Sequence, residues 1–386
     1  MTPLKTVLSA PPFYGRLTTG TTEMIASLVD VGKRTLIVAL EPDYLFCGIA
    51  VKNALEGAGA RVDALSLDSP KVDRDVFADF GTVVAVGERA VLDVVRLFVG
   101  EDKKIVFVPT TVVFYYAFSP FATSFDGGII RPVKAKLPDA VLFPVDLVKR
   151  FRLKHVADGL SVVAASALWK FDRLAKDVID GATGDGLAYG YVDDALSALK
   201  GVSDKPYRSL IECQIYLSAA VYRDPALDFC ADRYAAFVLS KIKPLPEAEC
   251  RFRSGCYIAA FYARALEKDI SFNLVAPDYG RSCLELADIL KLPPSVVYAA
   301  YSPTDEDKVF KALQRVYSSD LKAQAVKTLR VLDGCKRAYD GAYRGKRKRM
   351  DVDLSVAVRA TMASAILSDG LMRLFADEGI LSLFSS

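Results

Sequence analysis

Three short apolar runs constrain this chain more than any other feature of its sequence. Thr35–Leu40, Thr82–Val86 and Lys104–Val108 are each wholly apolar after their first residue. Continuous apolar runs of that length mark strands buried on both faces, whereas a strand with one wet face alternates. Between them lie stretches with apolar residues at helical spacing, 45–57 and 90–99, and Arg61–Leu67 reads as a further strand. Strand, helix, strand in this rhythm predicts a parallel sheet covered by helices on both faces.

Open sheets of this kind bind ligands beyond the carboxyl ends of their strands. The residues to weigh first are therefore Glu41-Pro42-Asp43, Gly87-Glu88-Arg89 and Pro109-Thr110-Thr111. From Lys149 onward the texture changes to long helical patterns, among them 156–179, 207–222, 225–241 and 250–268. A length of 386 residues suits two domains. The expected division is an α/β domain over 1–148 and an all-helical domain over 149–386, facing each other across a cleft. The basic run Arg344–Arg349 has no interleaved aromatic residue and reads as a solvated loop.

Composition removes several function classes. Fifty Lys and Arg against 47 Asp and Glu give +3, so no polyanion-binding surface, and hence no nucleic-acid partner, is indicated. His155 is the single histidine, which excludes any two-histidine metal site, and its basic neighbourhood Arg152-Leu153-Lys154 suits a solvated or capping role. The seven cysteines form no CxxC pair, so zinc-ribbon and redox-motif readings fail, and reduced thiols in a cytoplasmic protein are expected. No window of about 18 residues is free of both charge and proline, and residues 1–12 lack the apolar core of a signal peptide. The expectation is a soluble protein with no membrane partner.

Several segments, taken in order, carry a family likeness. Phe13-Tyr-Gly-Arg16 through Leu28 looks like an opening strand, glycine and helix. Val86-Gly-Glu-Arg-Ala-Val-Leu-Asp93 stands in the place of a Gly-Gly-Gly-x-x-x-Asp phosphate turn. Val108-Pro-Thr-Thr111, Ser124-Phe-Asp-Gly-Gly128 and Ala140-Val-Leu-Phe-Pro144 follow. Over roughly residues 10–270 the chain resembles the superfamily of dehydroquinate synthase, glycerol-1-phosphate dehydrogenase and iron-containing alcohol dehydrogenase. The resemblance implies a Rossmann-like sheet, a helical second domain and NAD or NADP as cofactor. It places Gly87, Glu88, Arg89 and Asp93 at the pyrophosphate, Thr110 and Thr111 at adenine or ribose, and Asp43 at a ribose hydroxyl. Only Gly87 remains of the glycine triplet. Glu88 brings a carboxylate to the expected pyrophosphate, which Arg89 could offset by binding phosphate directly.

The helical half departs further from the family. The positions of a glutamate ligand and a substrate lysine fall on Val162 and Ala165, and two histidine ligands fall on Ala231 and Ala235. The last ligand segment falls near Arg253-Ser-Gly255. Alanine and valine cannot coordinate zinc or iron, so the resemblance implies a lost metal site and no metal cofactor. Arg233, Tyr234, Arg251, Arg253 and Tyr257 remain as groups that could replace the cation or donate a proton. Three functions stay open: a divergent protein of this superfamily holding a small molecule or nucleotide in the cleft, a metal-independent NAD(P)-dependent oxidoreductase or lyase, and a non-catalytic pseudoenzyme. A homodimer is compatible with each.

Overall fold

The apolar runs become the middle of one parallel sheet. The computed structural model describes residues 1–148, 153–199, 206–267, 279–301, 306–343 and 354–377, so the Arg344–Arg349 run lies outside the described residues. Six strands, β1 (Leu17–Gly20), β2 (Thr35–Leu40), β3 (Val62–Leu67), β4 (Thr82–Gly87), β5 (Lys104–Pro109) and, the last of the sheet, β8 (Ala140–Pro144), lie in the order β1-β8-β5-β4-β2-β3. Every pairing among them is parallel. β4 and β8 are buried at every residue, as the sequence pattern requires of strands covered on both faces. β3, at the edge, exposes Asp63, Ala64 and Ser66, and Asp63 accepts a hydrogen bond from Arg34 at 2.8 Å. A charged, half-exposed edge resists pairing with another chain.

Strand order also locates the ligand crevice. From β2 the chain runs outward to β3, then returns past β2 to build β4 on its other side. Connections therefore diverge between β2 and β4, the switch point at which such sheets bind ligands. Register brings three strand ends level there: Ala39 pairs with Val86, and Gly87 with Pro109.

Two helices of this unit matter for the site. The first, α1, is Ile49–Gly57, and the second, α2, is Arg89–Phe98, which packs on β4 through an apolar face of Val91, Leu92 and Val95. A later helix, Pro206–Arg223, belongs to the same unit. Its buried Gln214 accepts hydrogen bonds through Oε1 from the backbone N–H groups of Phe114 and Tyr115, both at 3.3 Å. These donors have left the sheet ladder, and burying them unpaired would be costly.

The serine- and glycine-bearing stretch near Ser124 is part of a β-hairpin of β6 (Phe121–Asp126) and β7 (Ile129–Lys134). Gly127 and Gly128 have φ of +59° and +84°. Two central residues with positive φ give the turn twist that tight hairpins favour.

The chain forms two compact units, Met1–Phe125, Arg131–Val156 and Ser197–Pro225 as one, and Asp126–Ile130, Ala157–Leu196 and Ala226–Ser386 as the other. Helices α3 (Leu153–Asp180), α4 (Ala231–Ile242) and α5 (Glu247–Ala265) carry the core of the second unit. Leu168, Phe171, Ala235, Phe252, Tyr262 and Phe375 form one apolar cluster, and Val238, Leu239, Leu286, Val297 and Ile366 another. No strand occurs among the described residues of 156–270, in line with the helical texture of the sequence. No described helix is long and apolar enough to cross a membrane.

Candidate functional site

At the strand ends, three of the seven sequence-predicted residues come together. Thr110, just past β5, donates from its hydroxyl to Asp43 Oδ1 at 2.7 Å, and its backbone N–H bonds to the Gly87 carbonyl at 3.2 Å. Gly87 has φ of +147°, a conformation that side-chain-bearing residues avoid. A Cβ built there would lie 3.0 Å from Asp43 Oδ2 and 3.2 Å from Val91 Cγ2. Glycine is thus required at this turn, and what approaches its backbone is the carboxylate of Asp43.

The other four positions serve the framework or face solvent. Arg89 is buried; its guanidinium donates to the Tyr115 hydroxyl at 2.7 Å and lies 4.7 Å from the centre of the Tyr116 ring. Cation–π contact and a hydrogen bond hold this charge against the aromatic turn 115–118. Asp93 is also buried, accepting from the Thr123 backbone N–H at 3.0 Å, with Arg96 at 3.7 Å. Arg96 in turn donates to the carbonyls of Ser119 and Lys136. That pair ties α2 to the start of the hairpin. Thr111 Oγ1 accepts from the Val113 N–H at 2.8 Å, closing a local turn. Glu88 is exposed at the start of α2. The sequence reading missed Tyr115 and Tyr116 as the partners that draw Arg89 inward; two adjacent tyrosines a few residues beyond Thr111 were the available signal.

In the helical unit, each candidate arginine has a carboxylate partner, and that of Arg251 is fully buried. Arg251 is 1% exposed, and Asp228 and Asp232 are 0% exposed. Arg251 donates from Nε to Asp232 Oδ2 at 2.8 Å and from Nη1 to Asp228 Oδ1 at 3.0 Å, with its guanidinium 4.4 Å from the Trp169 ring centre. Trp169 Nε1 donates to the same Asp232 oxygen at 3.0 Å. Burial pushes the Asp232 carboxyl upward, and Arg251 pulls it back. Arg233 bonds to Glu247 at 2.6 Å and Arg253 to Glu249 at 2.8 Å. Burial raises the Tyr234 hydroxyl, which removes it further from proton donation near neutrality.

One buried carboxyl had no place in the sequence reading. Asp172 of α3 accepts the backbone N–H of Ala231 through Oδ2 at 2.9 Å, capping the start of α4 from a distant helix. Burial, opposed by that hydrogen bond, lifts its pKa from 3.8 to about 7. Its signal was position: Asp172 falls on the apolar stripe of Leu168, Phe171 and Ala175. Val162, Ala231 and Ala235 are all buried. Among the described residues, no three His, Cys, Asp or Glu side chains are gathered so as to hold a metal ion.

No protein-family model matches the sequence, and no curated protein matches it. Solved structures do. An alcohol dehydrogenase from Oenococcus oeni is 12% identical with a TM-score of 0.58, covering 96% of this chain and 97% of its own. The NADH-dependent butanol dehydrogenase A of Thermotoga maritima is 11% identical at TM-score 0.56, covering 95% and 96%. Glycerol dehydrogenase from Schizosaccharomyces pombe is 13% identical at TM-score 0.51, covering 86% and 92%. At such identities the likeness is one of architecture. This chain has the fold of the iron-containing alcohol and glycerol dehydrogenases, a parallel α/β unit followed by a helical one.

Proposed function

We propose that the chain is a divergent protein of this fold that carries out no metal-dependent chemistry and binds a nucleotide weakly at the ends of β2, β4 and β5. The observation that carries the reading is the Asp43 carboxylate, pinned by Thr110 and seated against Gly87. That position is where a pyrophosphate would approach the backbone. A carboxylate about 4 Å from a phosphate costs roughly 1–4 kcal/mol, from solvent-like to surface-like dielectric. Arg89 is held by Tyr115 and Tyr116, so it is not placed to offset that charge or the charge of Glu88. An acceptor-rich turn favours the hydroxyls of a ribose over a pyrophosphate. The metal of the fold family does not fit either: the positions that the resemblance gives to its ligands carry Val162, Ala231 and Ala235, which offer no donor atom.

Calorimetry with NAD(H), NADP(H), ATP and adenosine tests this reading. Weak binding of the dinucleotides is expected, with Asp43→Asn and Glu88→Gly each strengthening it by about one order of magnitude or more. Tight dinucleotide binding by the wild type, unchanged in both variants, would refute the placement of the turn. A second reading, a metal-independent NAD(P)-dependent oxidoreductase, draws on the near full-length likeness to dehydrogenases. Reduction of NAD or NADP with a panel of alcohols, undiminished by chelator, would favour it. A protein that binds none of these ligands would leave the pseudoenzyme reading, with the sheet kept as architecture.

A further inference from the structure

Of the seven cysteines, Cys47, Cys213, Cys230, Cys250 and Cys283 are buried, whereas Cys256 and Cys335 are partly exposed. The two that solvent reaches lie on helices that pack against one another, Cys256 on α5 and Cys335 on α6 (Leu321–Tyr343). Both helices belong to the helical unit, so this place is separate from the strand-end site.

Helical spacing and register bring the two thiols together. On α5, Phe252, Cys256, Ala259 and Ala263 recur every three or four residues, and on α6 Leu321, Ala325, Thr328, Leu332 and Cys335 do the same. Such spacing puts each set on one face of its helix. Apart from Thr328, which is itself buried, both sets belong to one apolar cluster or pack against it. Tyr317, just ahead of α6, donates from its hydroxyl to the carbonyl of Ala265, the last residue of α5, at 3.2 Å. So α6 begins where α5 ends and packs back along it, which carries its later turns toward Cys256 at the middle of α5. There Cys335 and its neighbours Asp333 and Lys336 are close enough to act on the charge of the Cys256 thiol.

We propose that Cys256 and Cys335 form a dithiol site that hydrogen peroxide oxidises to a disulfide joining α5 to α6. Cys335 reacts first, because burial raises its thiol to about 11 and that of Cys256 to about 12. Its sulfur, having lost the thiol proton, attacks one peroxide oxygen and the O–O bond breaks. The sulfur becomes a sulfenic acid, and the departing hydroxide takes the proton and leaves as water. The Cys256 sulfur then attacks that of Cys335, the S–O bond breaks, and the hydroxyl leaves with the Cys256 proton as a second water. Each sulfur is oxidised by one electron, and both peroxide oxygens are reduced to water. Thiolate is scarce near neutrality at such values, so the pair answers to sustained oxidant and not to a brief pulse.

The test is peptide mapping of the full chain after prolonged treatment with hydrogen peroxide, the remaining thiols being blocked with N-ethylmaleimide under denaturing conditions before digestion. A peptide pair linking Cys256 to Cys335 is expected as the main disulfide product, on a single chain lighter by two hydrogens and restored by dithiothreitol. Cys256→Ser and Cys335→Ser, at partly exposed positions that a serine suits, are each expected to abolish that product. Peroxide added after unfolding in urea should cut its share of all disulfides severalfold, since seven thiols then compete to pair. Absence of the 256–335 link from the folded chain, a link between chains in its place, or an equal share in folded and unfolded protein would each overturn the proposal.

Discussion

Replacing Arg251 with methionine is expected to destabilise the helical unit by about 3–5 kcal/mol, the range for removing one partner of a buried ion pair. The variant keeps much of the side-chain volume, so cavity formation contributes little. What it leaves is two carboxylates, Asp228 and Asp232, both without solvent access and both without their nearest cation. Trp169, the only tryptophan in the chain, donates to Asp232 and underlies the Arg251 guanidinium. Its fluorescence therefore follows the unfolding of this network directly. A lowered urea midpoint is expected for Arg251→Met, with most of the loss regained when Asp228→Asn and Asp232→Asn are added. An unshifted midpoint in the single variant would mean that the network is not the stabilising element argued here.

The second large effect is a dependence on pH carried by Asp172. Its carboxyl titrates near 7 in the folded chain against 3.8 for an unperturbed group. The folded state thus holds a proton that the unfolded state releases between those values, so stability falls as pH rises through the interval. The contribution is fully present below about pH 4 and lost as pH climbs through about 7, a change of roughly 4 kcal/mol at 1.36 kcal/mol per unit. Asp172→Asn keeps an oxygen for the Ala231 N–H and cannot ionise. Unfolding midpoints at pH 5 and pH 8 should therefore differ much less in the variant than in the wild type, with the variant the more stable at pH 8. Parallel profiles would show that the Asp172 proton plays no part.

These effects were beyond the reach of sequence reading, whereas the sheet was not. Thr35–Leu40 is a strand over the same six residues that the apolar run marks, and 156–179 became Leu153–Asp180. Burial on both faces leaves no polar alternation to confuse the signal, and a long apolar period tolerates a few residues of fraying. The strand-end site was legible as a place, because register alone aligns Gly87 with Pro109. The roles of its residues were not. Asp43 meets Thr110 across 67 positions of sequence, and Arg89 meets Tyr115 across 26. Nothing local distinguishes an arginine reaching for phosphate from one drawn into an aromatic turn. The hairpin at 121–134 stayed hidden because two glycines suit a loop as well as a tight turn.

The return of Pro206–Arg223 to the sheet bears on the order in which the chain takes shape during synthesis. β2, β4 and β5 emerge from the ribosome early and can pair at once, but β1 must wait for β8, its partner from Leu17 to Val141 onward. Gln214 arrives later still, after Ala157–Leu196 of the other unit has already been made. Until then the N–H groups of Phe114 and Tyr115 lack the acceptor that Gln214 supplies. A fragment ending at residue 148 would contain every strand of the sheet and lack the helix that seals its aromatic turn. Expressed alone, it should stay open at Phe114 and exchange those two amides rapidly, whereas the full chain protects them.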